Sequence, residues 1–416
     1  MKQQDADRAA ATGTEWQAQI DAAVDAHFEK MVEVRRHLHA HPEPSGEEHA
    51  TTAFLRDQAR ASGFQIQPGP DELGLILEPG EADDGKKIAL RADIDALRLQ
   101  DAKQVPYHST GPGIMHACGH DGHAATVLGA VWALDQAARE GHLPWPVNWR
   151  AIFQPAEETN RGAIDMMRVG ALENVGGIFG VHMDPSRTVG TVAIGPGAIT
   201  ADCVETEIKI HGRGAHAARP HESRDPIAAA AQLISSVYMS VPRLTDAHDP
   251  VVVSFGHIHG GDAPNVIPNL VLLRGTIRSF SESTRRRTME HVRQLARGIA
   301  EASGTRIEVA YLEGPPAVYN DPGLTKLMRD CAVDVLGENS VENVKNPSMG
   351  GEDFANYLGQ VPGSLFRLGC ASSADAPPLH SPDFDLDERA LSVGAKILAR
   401  AAVEWSRPEG QAPGRL

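Results

Sequence analysis

Apolar side chains return every three to four positions between Thr14 and Leu38, so that Ile20, Val24, Phe28, Met31 and Val32 share one face of a predicted helix. The pattern stops at His39-Ala40-His41-Pro42-Glu43-Pro44, where two prolines forbid its continuation. A second helix is expected from Ser45, a suitable N-cap, to about Ser62. The period then changes. Leu73–Leu77, Lys87–Asp95, Trp149–Gln154 and Phe179–His182 are short, largely apolar runs, as strands buried on both faces would be. Ala-rich Ala124–Arg139 reads as a helix entering the core. Further on, the pattern alternates in Val204–His211, and Val251–His257, Leu270–Phe280 and Thr305–Ala310 complete a set of four strands. Between them lie a helix from Asp225-Pro226 to about Met239 and a long amphipathic helix over Ser281–Ser303. The resulting order, β-α-β-β-α-β, is the ferredoxin-like signature. After residue 312 the helix–strand pattern resumes, with a strand at Ser364–Gly369 and a closing helix from Asp387 to about Trp405. Residues 1–14 and the tail from Arg407 read as frayed.

These elements predict an α/β protein. Residues 1–198 and 312–416 form one domain with a mixed central sheet flanked by helices, and residues 199–311 form an inserted α+β unit. An insertion of this kind suits a lid or an interface, although fold alone does not assign its task.

Composition removes several classes of function. Among 416 residues, 39 Lys and Arg stand against 55 Asp and Glu, a net charge of −16, which disfavours nucleic acid and anionic membranes as partners. The four Cys, at 118, 203, 331 and 370, are too scattered for a disulfide framework. No apolar leader follows Met1, and no run approaches the roughly 20 apolar residues of a membrane span. A reducing, cytoplasmic location is expected.

The candidate chemistry collects at the ends of the apolar strands. Met115-His116-Ala117-Cys118-Gly119-His120-Asp121-Gly122-His123 places a thiol, imidazoles and a carboxylate in nine positions. In an extended segment Cys118 and His120 would point the same way, as a soft thiolate and a neutral imidazole suited to a divalent transition metal. Asp93 and Asp95 end one strand, Glu157 and Glu158 follow another, His182 ends a third, and His380 lies in Pro377–Pro382. Each has a plainer reading taken alone: a buried Cys, capping aspartates, a structural His. Their number argues for one shared site of metal-assisted hydrolysis, with one glutamate as ligand and its neighbour free as a base. Two further polar clusters, Gly212–His221 and Ala263–Pro268, are equally consistent with turn chemistry.

Taken together these motifs resemble the M20 metallopeptidases, in particular the amidohydrolase branch with the hippurate hydrolases and the plant auxin-amino-acid conjugate hydrolases. The resemblance runs from His37-Leu38-His39-Ala40-His41-Pro42 to Leu379-His380-Ser381-Pro382. It takes in Gln154–Glu158, Gly212–Pro220, Pro264–Pro268, Gly275-Thr276-Ile277-Arg278 and Gly350–Phe354 in matching order. It implies an enzyme with two divalent ions per subunit (Zn²⁺ or Mn²⁺, with Co²⁺ or Ni²⁺ as alternatives) held by Cys118, His120, Glu158, His182 and His380. Glu157 would be general base and acid. His216 would steady the oxyanion, in many relatives from the partner subunit of a homodimer built through the inserted lid. Asn265 and Arg278 would contact the substrate, and Asp93 or Asp121 would orient ligands. The implied reaction cuts N-acyl amino acids into a carboxylic acid and an amino acid. A deaminase, a short-peptide exopeptidase or an inactive metal-binding sensor on the same scaffold are the alternatives. Three places depart from the family pattern: Arg98, Asp184, and Thr159-Asn160-Arg161-Gly162 after the glutamates.

Overall fold

In the computed structural model the described residues are 15–80 and 85–408, so the expectations for residues 1–14 and for the extreme C-terminus lie outside them. The chain divides into two compact units. Of the described residues, those within 1–197, 319–345 and 353–416 form the first, and 198–318 with 346–352 form the second.

The first unit is built on an eight-stranded mixed sheet. Its spatial order is Gln65–Pro68, Leu75–Glu78, Trp149–Gln154, Lys87–Asp93, Val175–Thr188, Gly363–Ala371, Val192–Ala193 and Val341–Glu342. The four central strands, from Trp149–Gln154 to Gly363–Ala371, are parallel neighbours. Lys87–Asp93 and Trp149–Gln154 are buried at every position, which explains why they read as largely apolar runs without alternation. The Val175–Thr188 strand continues six residues beyond His182, so this His lies within the strand rather than at its end.

The helix His120–Arg139 runs through the core and is buried at almost every position. It starts four residues earlier than its apolar pattern suggested, because its polar first turn faces inward with the rest. Small residues let neighbours come close: a side chain at Gly129 would collide with Met31. The N-terminal helical pattern is two helices, Glu15–Ala26 and Phe28–Ala40. The next helix, His49–Ser62, begins after Ser45, whose hydroxyl donates to Asp95 Oδ2 at 2.7 Å.

The second unit carries a four-stranded antiparallel sheet in the order Val251–His259, Leu270–Ser279, Asp202–His211, Arg306–Glu313. With the helices Pro226–Leu244 and Glu282–Ser303 this gives the β-α-β-β-α-β connectivity. Asp225 and Ser281 cap these helices through side-chain acceptors. The unit's own core contains Ile208, Leu233, Val237, Leu273 and Val292. Its short segment Asn346–Glu352 comes from a stretch that sequence had placed with the sheet domain. No helix among the described residues is long and apolar enough to cross a membrane.

Candidate metal centre

Gly119 separates the first two donors. It sits at φ 87°, the left-handed region, and a Cβ there would come within 3.1 Å of the Met183 side chain. Cys118 and His120 are therefore not in one extended segment. The chain bends at the glycine, and the two side chains converge across the bend at the start of the core helix.

Donor atoms of Cys118, His120 and Glu158 all lie within 4.8 Å of one another. His380 Nε2 is 3.4 Å from Cys118 Sγ and 3.5 Å from Glu158 Oε1. His182 Nε2 is 3.8 Å from Cys118 Sγ, and His120 Nε2 is 3.9 Å from Glu158 Oε1. Donors of one tetrahedral ion, each ~2.0–2.3 Å from it, stand about 3.5 Å apart, which matches these spacings. Among the described residues His120 Nε2 and Glu158 Oε1 are also buried without a hydrogen-bond partner. Buried polar atoms are rarely left so, and these two face the other donors. The donor set fits a divalent transition metal.

Each imidazole is aimed by its other nitrogen. His120 Nδ1 donates to the Asp95 carbonyl at 2.9 Å and lies 3.1 Å from Asp95 Oδ1, which leaves Nε2 for the cluster. His182 Nδ1 donates to the Met183 carbonyl at 2.8 Å, with the same result. Asp95 Oδ2 also accepts the Glu158 N–H at 3.0 Å, so one carboxylate positions two donors. His380 is held by its N–H to the Ala117 carbonyl at 2.8 Å and has φ 61°. Asp93, His120 and His123 form a second convergence. However, His123 Nδ1 meets Asp93 at 2.6 Å and its Nε2 accepts the Met183 N–H at 2.8 Å, so both nitrogens are committed and His123 belongs to the frame.

Protonation follows from burial and neighbours. Burial pushes the Cys118 thiol up to about 12. Burial, with His123 nearby, holds His182 well below the ordinary imidazole range. Burial would also lower His120, but Asp93, Cys118 and Asp95 carry it well above that range.

Glu157 is buried in the same turn as Glu158 and accepts the Asp353 N–H at 3.3 Å through Oε1. The turn is strained: Ala156 has φ 54° and Asn160 φ 57°. Glu48 braces it, its Oε1 accepting the Ala156 N–H at 2.8 Å. Burial pushes the Glu48 carboxyl up to about 7.

The remaining sequence candidates divide. Asp93 lies 3.7 Å from His120 Nε2. Asp121 instead gives its Oδ2 to Arg35 at 2.9 Å and His39 at 2.7 Å. Adjacent helix positions turn by about 100°, so Asp121 points away from the cluster that His120 joins; Asp95 is the carboxylate on His120. His216 and Asn265 lie together in the second unit. The short strands Ala215–His216 and Val266–Ile267 pair there, and Ala217 N–H donates to the Asn265 carbonyl at 3.0 Å. Both line a cavity of about 810 Å³ with His259 and Asp262. Arg278, on the Leu270–Ser279 strand, donates through Nη1 to the Met349 carbonyl at 2.8 Å. Of the departures, Arg98 pairs with exposed Glu47 at 2.5 Å. Asp184 turns its oxygens to Ser186 at 2.5 Å and Arg187 at 3.2 Å. Thr159 and Arg161 line a cavity of about 360 Å³ with Asp71 and Asp165. Sequence reasoning named Asp95 only as a strand-end carboxylate and gave no individual role to His123, Asp353 or Glu48. The Asp93-Ile94-Asp95 spacing at a strand end was the available signal for the first.

Residues 89–404 match the model of peptidase family M20/M25/M40. The N-acetylcysteine deacetylase of Bacillus subtilis is 38% identical over 375 residues, covering 90% of this chain and 96% of that protein. IAA-amino acid hydrolase ILR1-like 4 of Arabidopsis thaliana is 35% identical over 386 residues, covering 91% and 86%. The crystal structure of Bacillus subtilis YXEP protein, described as a dinuclear metal-binding peptidase from the M20 family, superposes with a TM-score of 0.78. It is 35% identical and covers 92% of this chain and 99% of its own.

Proposed function

The chain belongs to peptidase family M20/M25/M40 and is a hydrolase, and on that footing we propose that it is a dinuclear amidohydrolase cleaving N-acyl amino acids to a carboxylic acid and a free amino acid. The observation that carries this reading is the convergence of Cys118, His120, Glu158, His182 and His380, with His120 Nε2 and Glu158 Oε1 buried and otherwise unpartnered. Five donors exceed what one tetrahedral ion with an open position takes, and a neighbour of 35% identity is described as dinuclear. The two relatives named above act, by their names, on N-acetylcysteine and on an IAA-amino acid.

In this reading Cys118, His120, Glu158, His182 and His380 hold the ions. When bound, divalent ions polarise a carbonyl and lower the pKa of water. The rest is work for the chain's own residues. Glu157, adjacent to a ligand yet held separately by the Asp353 N–H, takes a proton from water and returns it to the leaving nitrogen. His216 supplies a donor to the oxyanion, from the partner in a homodimer joined through residues 199–311, which also act as a lid. Asn265 and Arg278 receive the amino-acid half, with the Arg278 guanidinium on its carboxylate. We place the enzyme in the cytoplasm, where its four buried free thiols stay reduced.

The test strips the protein with a chelator and reloads it separately with Zn²⁺, Mn²⁺, Co²⁺ or Ni²⁺. Hippurate-like, indole-acyl and dipeptide substrates are then offered. Acid and free amino acid should be released from the acyl substrates, with full activity at two ions per chain. Saturation at one ion, or turnover confined to dipeptides, would overturn the proposal.

A further inference from the structure

Arg91 is out of place by composition. It lies in the central Lys87–Asp93 strand at 1% exposure, and a guanidinium is tolerated there only where carboxylates and other acceptors surround it. Its three directions of donation go to three chain segments. Nε donates to Gln154 Oε1 at 2.8 Å, Nη1 to Asp93 Oδ2 at 2.7 Å, and Nη2 to Asp353 Oδ1 at 2.9 Å.

What those acceptors do next gives the arrangement its meaning. Asp93 lies against His120 and His123 on the donor side of the site. Asp353 is fixed further by Gln154 Nε2 at 2.8 Å and by the Ala163 N–H at 2.9 Å, and its own N–H is the bond to Glu157 Oε1. Tyr357 OH closes the ring onto Gln154 Oε1 at 3.1 Å. One planar fork thus joins the carboxylate facing His120 to the residue whose backbone holds Glu157.

We propose that Arg91 is a positioning residue that sets the place of Glu157 relative to the metal-binding cluster, acting through Asp353 and Asp93. The proposal rests on the reading of Glu157 as proton acceptor. Lys carries the charge but cannot span three acceptors in a plane, so it cannot replace the fork.

Removing the charge altogether would strand two buried carboxylates, so the informative variants are Arg91→Lys and Asp353→Asn. Each should keep two ions per chain and a KM within about two-fold, while kcat falls about ten-fold, the scale of a small misplacement of catalytic groups. Amide exchange should quicken in peptides spanning 154–163 and 350–357 and remain unchanged elsewhere, a readout independent of turnover. The decisive step repeats both variants in a Glu157→Gln background. Groups acting as one unit are non-additive, so the ten-fold loss should shrink to less than two-fold there. An undiminished loss in that background, or wild-type kcat in Arg91→Lys, overturns the proposal. If Glu157→Gln alone retains near wild-type activity, the assignment of the base fails instead, and a persisting Arg91→Lys loss then removes the positioning role as well.

Discussion

The metal-binding candidates and the substrate-binding candidates differ in what holds them. In the first unit Cys118 and His120 are buried, and each imidazole of His120 and His182 is fixed by a second bond behind it. In the second unit His216 and Asn265 are exposed, one on a two-residue strand and the other in the turn before its partner strand, and Arg278 has a backbone carbonyl as its partner. A site that must bind a small, strongly polarising ion needs donors preset within a fraction of an ångström. A site that must admit an organic substrate gains from exposed groups that become ordered on binding. The contrast suggests that the two sets should fail differently when perturbed.

The largest effect should come from the first unit. Glu157→Gln keeps shape and the Asp353 bond but removes the proton acceptor, so kcat should fall at least ~10²-fold with metal content unchanged. Activity within a few-fold of wild type would reassign the base. His216→Ala should be severe too, yet rescuable: mixing it with Glu157→Ala subunits gives heterodimers in which one site is intact. Verified mixed dimers that stay inactive would confine His216 to its own subunit or to no role in catalysis.

Asp95→Asn probes how far the preset geometry depends on the carboxylate behind His120. It weakens the support of His120 and Glu158 together, and metal affinity measured by competition with a chelator should drop about 10–100-fold. Unchanged affinity would mean that the Asp95 carbonyl alone suffices.

A smaller and more selective change is expected from Arg278→Lys. Its kcat/KM ratio between a free-acid substrate and the matching carboxamide should narrow several-fold, because an ammonium cannot make two parallel bonds to a carboxylate. An unchanged ratio would leave Arg278 as a strand residue bound to Met349.

The smallest effect concerns Glu48. Its carboxyl is raised in the folded state to about 7, so the folded protein binds this proton more tightly than the unfolded chain does. Stability from that group is complete below the unfolded value near 4.5 and declines as pH rises toward and through 7. Glu48→Gln, which can still accept the Ala156 N–H, should therefore raise the melting temperature at pH 8 by on the order of 2 °C and change it little at pH 4. An equal shift at both pH values would exclude ionisation as the cause.

Much of this architecture is legible in the residues, for physical reasons that also mark the limits. Strands buried on both faces announce themselves as apolar runs, and His, Cys or Glu breaking such runs is conspicuous, so five candidate donors could be named. The βαββαβ pattern was visible because its strands alternate and its helices have proline or serine at their starts. Periodicity could not assign partners. Asp95 and Asp121 look equivalent in sequence, yet one lies behind His120 and the other binds Arg35 and His39. Nor could it foresee that Asp184, two residues past His182, would be occupied by Ser186 and Arg187.

The backbone of His380 bears on experimental design. At φ 61° it occupies a region that most side chains enter at a cost of about 1–2 kcal/mol, that asparagine tolerates, and that β-branched residues avoid. An alanine or valine there would remove an imidazole and also free the Pro377–Pro382 loop to adopt another path, so two losses would be measured as one. Asparagine would preserve the path while deleting the ring, and the difference between the asparagine and alanine variants would be the contribution of the loop's shape alone.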